Sequence, residues 1–170
     1  MTTILIFAGG KSTRMGEDKS NMFGGVDRIH AECVKANVSR IITLCGSSDR
    51  LGDFTGEVWV DPIDCQGVLD VVHWAVSQLN DDVLLIPCDA FNISKIGIEE
   101  LISQDNCVPI DEFGNRQPLF ARISNPAEIE WDAPSLTGLF AKFPDFENRA
   151  ICSEFNNFNQ TSDLKNLHRQ

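Results

Sequence analysis

Residues 3–19 read Thr-Ile-Leu-Ile-Phe-Ala-Gly-Gly-Lys-Ser-Thr-Arg-Met-Gly-Glu-Asp-Lys. The run Ile4-Leu5-Ile6-Phe7-Ala8 is continuously apolar and short, the pattern of a strand buried on both faces of a sheet. Gly9 and Gly10 follow at once, and Lys11, Arg14 and Lys19 are then threaded through Ser12, Thr13 and Gly16. Glycines let backbone N–H groups come close to an anion, and the cations neutralise it. A buried strand running into such a loop predicts a phosphate cradle. Two familiar phosphate loops fail the spacing. A P-loop requires a glycine five positions before Gly10-Lys11-Ser12, where this chain has Leu5. The G-x-G-x-x-G fingerprint fails because Gly9 and Gly10 are adjacent and the next glycine is Gly16.

The 170 residues suit one domain, 1–170, with a single good core, and 42% apolar and 23% charged residues are ordinary globular values. No apolar segment reaches membrane-spanning length. The N-terminal apolar run enters a loop rather than a cleavage site, so the expected location is cytoplasmic. The formal charge of −11 argues against general nucleic-acid binding. It leaves room for a nucleotide, which needs only a local cationic patch, and three of the 14 Lys and Arg lie within residues 11–19. The six cysteines contain no C-x-x-C pair and read as small buried hydrophobes. His30, His73 and His168 are isolated and read as structural or surface residues.

Further along, residues 20–25 read as a polar excursion. A helix is expected over 27–38, with Ile29, Cys33, Val34 and Val38 on one face. Strands are expected at 40–45 and 57–60, with turn-rich chain at 47–56 between them. A second helix spans 67–79, and a strand at 82–89 ends on a carboxylate. Ser94 caps a helix running to 103, and 108–110 and 119–123 are strands about a Gly114-Asn115 turn. The remaining expectations are a helix at 134–143 opened by Pro134 and Ser135, a strand at 149–152 and a closing helix at 162–168. Strands alternating with helices predict a three-layer α/β/α fold around a mostly parallel sheet. Ligands then bind beyond the carboxyl ends of the strands. The opening loop and Asp89 both follow strands at that end.

Ala8 to Lys19 resembles, position for position, the signature loop Ala-Gly-Gly-x-Ser-x-Arg-Met-Gly-x-Asp-Lys of the nucleotidyltransferases. Within them the chain is most similar to the molybdenum cofactor guanylyltransferase (MobA) family. The resemblance implies a Rossmann-like nucleotidyltransferase domain that moves GMP from GTP to the phosphate of molybdopterin with magnesium. It implies nucleotide contacts from Phe7, Ala8, Gly9, Gly10, Lys11, Ser12, Lys19 and Asp61, with Arg14 and Lys19 as the catalytic cations. Pro87-Cys88-Asp89 resembles the family's metal motif, which makes Asp89 the magnesium ligand. Asn157 and Asn159 resemble a late Asn-x-Asn motif on the acceptor side, and Arg116-Gln117-Pro118-Leu119 stands where another acceptor-side motif falls. A molybdoenzyme or another cofactor-synthesis protein is the implied partner, with no nucleic acid and no membrane. Two stretches depart from the family pattern. Gly67-Val68-Leu69-Asp70-Val71 replaces Gly-Pro-Leu-Ala-Gly near the base and ribose, and Cys45-Gly46 stands where an asparagine is usual. Ala8-Gly9-Gly10 leans towards guanine. The same chemistry on CTP or UTP with a sugar phosphate or related cofactor, and a non-catalytic nucleotide-binding paralogue, are the alternatives.

Overall fold

The computed structural model describes residues 1–10 and 19–158, with Lys19 and Phe23 described in their backbone only. Lys11, Ser12, Arg14, Asn159 and the expected helix at 162–168 lie outside the described residues. Strand β1 (Thr2–Phe7) forms the middle of a sheet. It pairs in parallel with β2 (Arg40–Leu44) on one side and β4 (Asp82–Pro87) on the other. Beyond β2 lies β3 (Glu57–Trp59), also parallel. Beyond β4 lies β6 (Arg122–Ile123), which is antiparallel. The order β3-β2-β1-β4-β6 gives the mostly parallel sheet expected.

Alternation along the strands sorts side chains into two cores. Ile4, Ile6, Leu84 and Ile86 face one layer, where they meet Val26, Ile29 and Cys33 of α1 (Gly25–Lys35) and Ile98 and Leu101 of α3 (Lys95–Ile102). Leu5, Phe7, Val83 and Leu85 face the other layer. There they meet Val71, Val72, Ala75 and Val76 of α2 (Val68–Ser77) and Leu139 of α4 (Leu136–Leu139). Ile4, Leu5, Leu84 and Leu85 are all fully buried, as a parallel sheet covered by helices on both faces requires. The molecule is therefore a three-layer α/β/α fold. Ser94 caps α3 by accepting from Ile96 N–H at 3.2 Å.

Several local expectations need correction. Val34 points outward and is 56% exposed, because α1 ends at Lys35 and its buried stripe runs through Val26, Ile29 and Cys33. Residues 149–152 do not form a strand; Cys152–Phe155 is a 3-10 turn, and the late strand is β7 (Asp145–Phe146). β7 pairs with β5 (Val108–Pro109) in a separate two-stranded sheet. The strand expected at 119–123 shrinks to β6, since Pro118–Phe120 is a 3-10 turn. The helix expected at 134–143 covers only Leu136–Leu139, capped by Ser135. The hairpin about 114–115 is present, with antiparallel bridges Ile110–Arg116 and Cys107–Arg122, and Asp111 shapes its turn by accepting from the N–H groups of Phe113 at 2.9 Å and Asn115 at 2.8 Å. Of the cysteines, Cys33, Cys45 and Cys107 are buried, while Cys65, Cys88 and Cys152 are only half-buried.

Candidate active site

Strand register decides which residues meet at the carboxyl edge of the sheet. Phe7 is level with Leu44 and with Pro87, and Leu44 is level with Trp59. Two residues past each of these stand Gly9, Gly46, Asp89 and Asp61. The backbone keeps that alignment past the strand ends. Ala8 N–H donates to Leu44 O at 2.9 Å, Cys45 N–H to Trp59 O at 2.9 Å and Cys88 N–H to Phe7 O at 3.1 Å.

At the centre of this edge the two glycine backbones nearly touch. A Cβ on Gly9 would lie 3.0 Å from Gly46 Cα and 3.0 Å from Asp61 Oδ2. Gly46 also has φ of +83°, a conformation that a side chain strains. Asp61 closes the arrangement reciprocally. Its N–H donates to Gly46 O at 2.9 Å, and its Oδ1 accepts from Gly46 N–H at 3.3 Å. Both the close crossing of the two loops and the positive φ thus favour glycine at position 46.

Above this floor opens a cleft of about 540 Å³. Phe7, Gly9, Gly10 and Asp61 line it, together with Gly46, Ser47, Ser48, Val60, Gln66, Gly67, Val68 and Val71. Ala8 is fully buried beneath it and supplies backbone rather than surface. Ser47, Ser48 and Gln66 carry no sequence signal beyond their place in turns. The 67–71 segment forms the far wall as the start of α2. Asp70 is turned back along its own helix end, its Oδ2 accepting from Gln66 N–H at 2.8 Å.

Burial pushes the Asp61 carboxyl above its ordinary range, against the lowering influence of the Gly46 N–H and the Arg50 charge. A carboxyl raised in the folded state binds protons more readily there than in the unfolded chain. Its contribution to stability is therefore fully present below the unfolded value, about pH 4, and is lost as pH rises through the folded value. Asp61→Asn removes the ionisation. We expect the unliganded variant to be more stable than the parent at pH 7 and equal to it near pH 3, read by urea melts. A stability difference that does not change with pH would contradict this assignment.

Asp89 lies across β1 from the cleft, 9% exposed, in a tight turn after β4. Ala90 N–H donates to Pro87 O at 3.1 Å and Phe91 N–H to Asp89 O at 2.7 Å. Arg28 of α1 holds the turn from one side, donating to Ala90 O at 2.5 Å and Ile93 O at 2.7 Å. The 152–158 segment holds it from the other. Glu154 accepts from Ser94 N–H at 2.8 Å and Ser94 Oγ at 3.0 Å, and Phe158 packs on Phe91 with ring centroids 5.3 Å apart. Among the described residues, no group of three or more His, Cys, Asp and Glu could hold a metal by itself. Asp89 is a hard oxygen donor at the strand edge. Such a donor fits magnesium, which binds through one or two carboxylates when phosphates supply further ligands.

Asn157 is exposed on the segment docked against the Asp89 turn. Its neighbour Asn156, which no motif marks, is buried and pairs with Glu112. Arg116 braces the small sheet, bonding Asp145 at 2.6 Å and the Phe140 carbonyl at 3.0 Å, and Gln117 donates to Asp111 at 2.8 Å. Arg116 and Gln117 thus brace the small sheet, and residues 116–119 do not line the cleft. His73 stacks edge-on against Trp131 at 5.1 Å, away from the floor.

Residues 4–137 match the family model described as the MobA-like NTP transferase domain. Among solved structures the fold is similar to molybdopterin-guanine dinucleotide biosynthesis protein A from Archaeoglobus fulgidus. The TM-score is 0.71 at 16% identity over 96% of this chain and 95% of that one. A nucleotidyl transferase from Methanothermobacter thermautotrophicus gives 0.70 at 14% identity, over 98% and 95% of the two chains. The 4-diphosphocytidyl-2C-methyl-D-erythritol synthase of Anaerococcus prevotii gives 0.54 at 11% identity, over 97% and 95%. These likenesses are of fold. No curated protein is a significant match.

Proposed function

We propose that this chain, which belongs to the MobA-like NTP transferase domain family, transfers the GMP moiety of GTP to the terminal phosphate of molybdopterin. An acceptor phosphate oxygen bonds to the α-phosphorus of GTP. The bond from that phosphorus to the oxygen bridging the β-phosphate breaks, and its electron pair leaves with pyrophosphate. The acceptor supplies the nucleophile, so the protein contributes positioning and charge stabilisation. The observation that carries this reading is the glycine floor beside Asp61 at the same sheet edge as Asp89.

In this reading Phe7, Ala8, Gly9, Gly10, Lys11, Ser12 and Asp61 hold the nucleotide. Arg14 and Lys19 take up the negative charge that develops on the leaving pyrophosphate. Asp89 and the phosphate oxygens hold magnesium, which supplies Lewis-acid polarisation and charge neutralisation when bound. Asn157 and Asn159 bind the acceptor. Residues 1–170 act as one catalytic domain in the cytoplasm and pass the product to a molybdoenzyme or another cofactor-synthesis protein. Among the described residues, no helix is long and apolar enough to cross a membrane.

The base is the finer part of the proposal. The shared fold hosts proteins named for a guanine dinucleotide and for a diphosphocytidyl product. Asp70 and Val71 also alter the segment that approaches the base. With magnesium, we expect the purified protein to release pyrophosphate from GTP only when molybdopterin is supplied. Release from CTP and not GTP would overturn the guanine assignment. Binding of GTP without release under any acceptor would favour a nucleotide-binding paralogue.

A further inference from the structure

The floor of the cleft rests on a buried guanidinium that no motif marks. Arg50 belongs to the 3-10 turn Ser48–Asp53 and is 8% exposed. Its Nη1 donates to the carbonyls of Ala8 at 2.5 Å and Cys45 at 3.4 Å, the residues directly before Gly9 and Gly46. Its Nη2 donates to Ser20 Oγ at 2.9 Å. Its Nε faces Asp53 at 3.7 Å, and its guanidinium carbon sits 5.3 Å from the Phe54 ring centroid. An arginine taken out of water is costly unless its donors are met. Here Nη1 is met by the two carbonyls beneath the floor, and Nη2 and Nε by Ser20 and Asp53.

Two consequences follow from that placement. A trans peptide is planar, so its C=O and the next N–H point in opposite directions. Anchoring the Ala8 and Cys45 carbonyls on Arg50 therefore turns the N–H groups of Gly9 and Gly46 away from it. Gly46 N–H does point away, to Asp61 Oδ1. The second consequence is electrostatic. A fixed cation sits directly behind the floor in a chain whose formal charge is −11. It also offsets the Asp61 carboxylate on the cleft wall, which alone would repel an anion.

We propose that Arg50 is a positioning residue for the phosphates of a nucleoside triphosphate, orienting the Ala8–Gly9 and Cys45–Gly46 peptides and placing a cation behind them. This rests on the nucleotide reading above. It separates Arg50 from a residue that only stabilises the fold, because it acts on phosphate recognition and leaves the base alone.

Calorimetric titration with GTP plus magnesium and, separately, with guanosine tests it. Arg50→Lys keeps the charge and loses the two-pronged geometry. We expect the preference for GTP over guanosine to fall about tenfold, the scale of one charge-assisted hydrogen bond, with guanosine affinity within about twofold of the parent. A folded Arg50→Lys protein that keeps the parental preference overturns the proposal. Should that variant fail to fold, Ser20→Ala removes one anchor of the guanidinium. A drop of about threefold in the same preference is expected, on the scale of a single neutral bond, and an unchanged preference again overturns it. If the parent itself shows no preference for GTP over guanosine, the nucleotide reading falls along with this one. Failure in the variants alone leaves that reading standing.

Discussion

Asp89→Asn is expected to lower pyrophosphate release from GTP and molybdopterin by about a hundredfold or more, the scale of losing one group aimed at the developing charge. The substitution keeps size and shape while deleting the negative charge, so circular dichroism should be unchanged. The fold argues for a clean effect. Asp89 sits in a turn fixed by its own backbone bonds, by the Arg28 guanidinium and by the docked 152–158 segment. These contacts are made by the backbone and by neighbouring side chains, so a neutral amide of the same size leaves them in place. A second readout does not depend on turnover. Magnesium should strengthen GTP binding to the parent and have a clearly weaker effect on the variant, since one protein oxygen charge is missing from the shared shell. Near-parental turnover, or an unchanged magnesium effect on GTP affinity, would remove Asp89 from the metal role.

The parts of the fold that were legible are those whose residues fix their own environment. Ile4-Leu5-Ile6-Phe7 is apolar at every position, and such a run has few places to go except the middle of a sheet. The apolar spacing in 68–76 presents one stripe, and Ser94 precedes a run that needs a cap, so local chemistry sufficed for α2 and α3. The short strands were not legible because their partners create them. β7 is two residues long and exists through bonds such as Val108 N–H to Pro144 O at 3.0 Å, made across more than thirty residues of chain. No pattern in Asp145-Phe146 announces that pairing.

The site divides in the same way. Gly9, Gly10, Asp61 and Asp89 sit next to strand ends, so strand register carried them to one edge. Arg50 could not be read, because an arginine in a turn-rich stretch ordinarily faces water, and its burial depends on carbonyls 42 and 5 residues away. Asn156 was equally unreadable, because no motif marks it and its burial depends on Glu112, 44 residues away.

That docked segment supplies the largest stability effect. Phe155 is fully buried and meets Phe120 edge-on at 5.6 Å and Phe146 at 6.3 Å. It joins the α1–α3 layer to the small sheet. Phe155→Ala is expected to cost about 3–5 kcal/mol, the range for emptying a buried aromatic site. For a chain of this size that lowers the melting midpoint by about 6–20 °C, a large part of a typical stability of about 5–15 kcal/mol. Phe155→Leu keeps most of the volume and should lose clearly less, while Asn157→Ala should lose nothing measurable. The loosening begins at the segment itself, because Glu154, the residue before Phe155, holds Ser94 N–H at 2.8 Å. Hydrogen exchange at Ser94 should therefore accelerate in Phe155→Ala more than exchange in β1. Uniform acceleration across both would mean that the segment and the sheet open as one cooperative unit, and that Phe155 has no separate hold on the Asp89 turn.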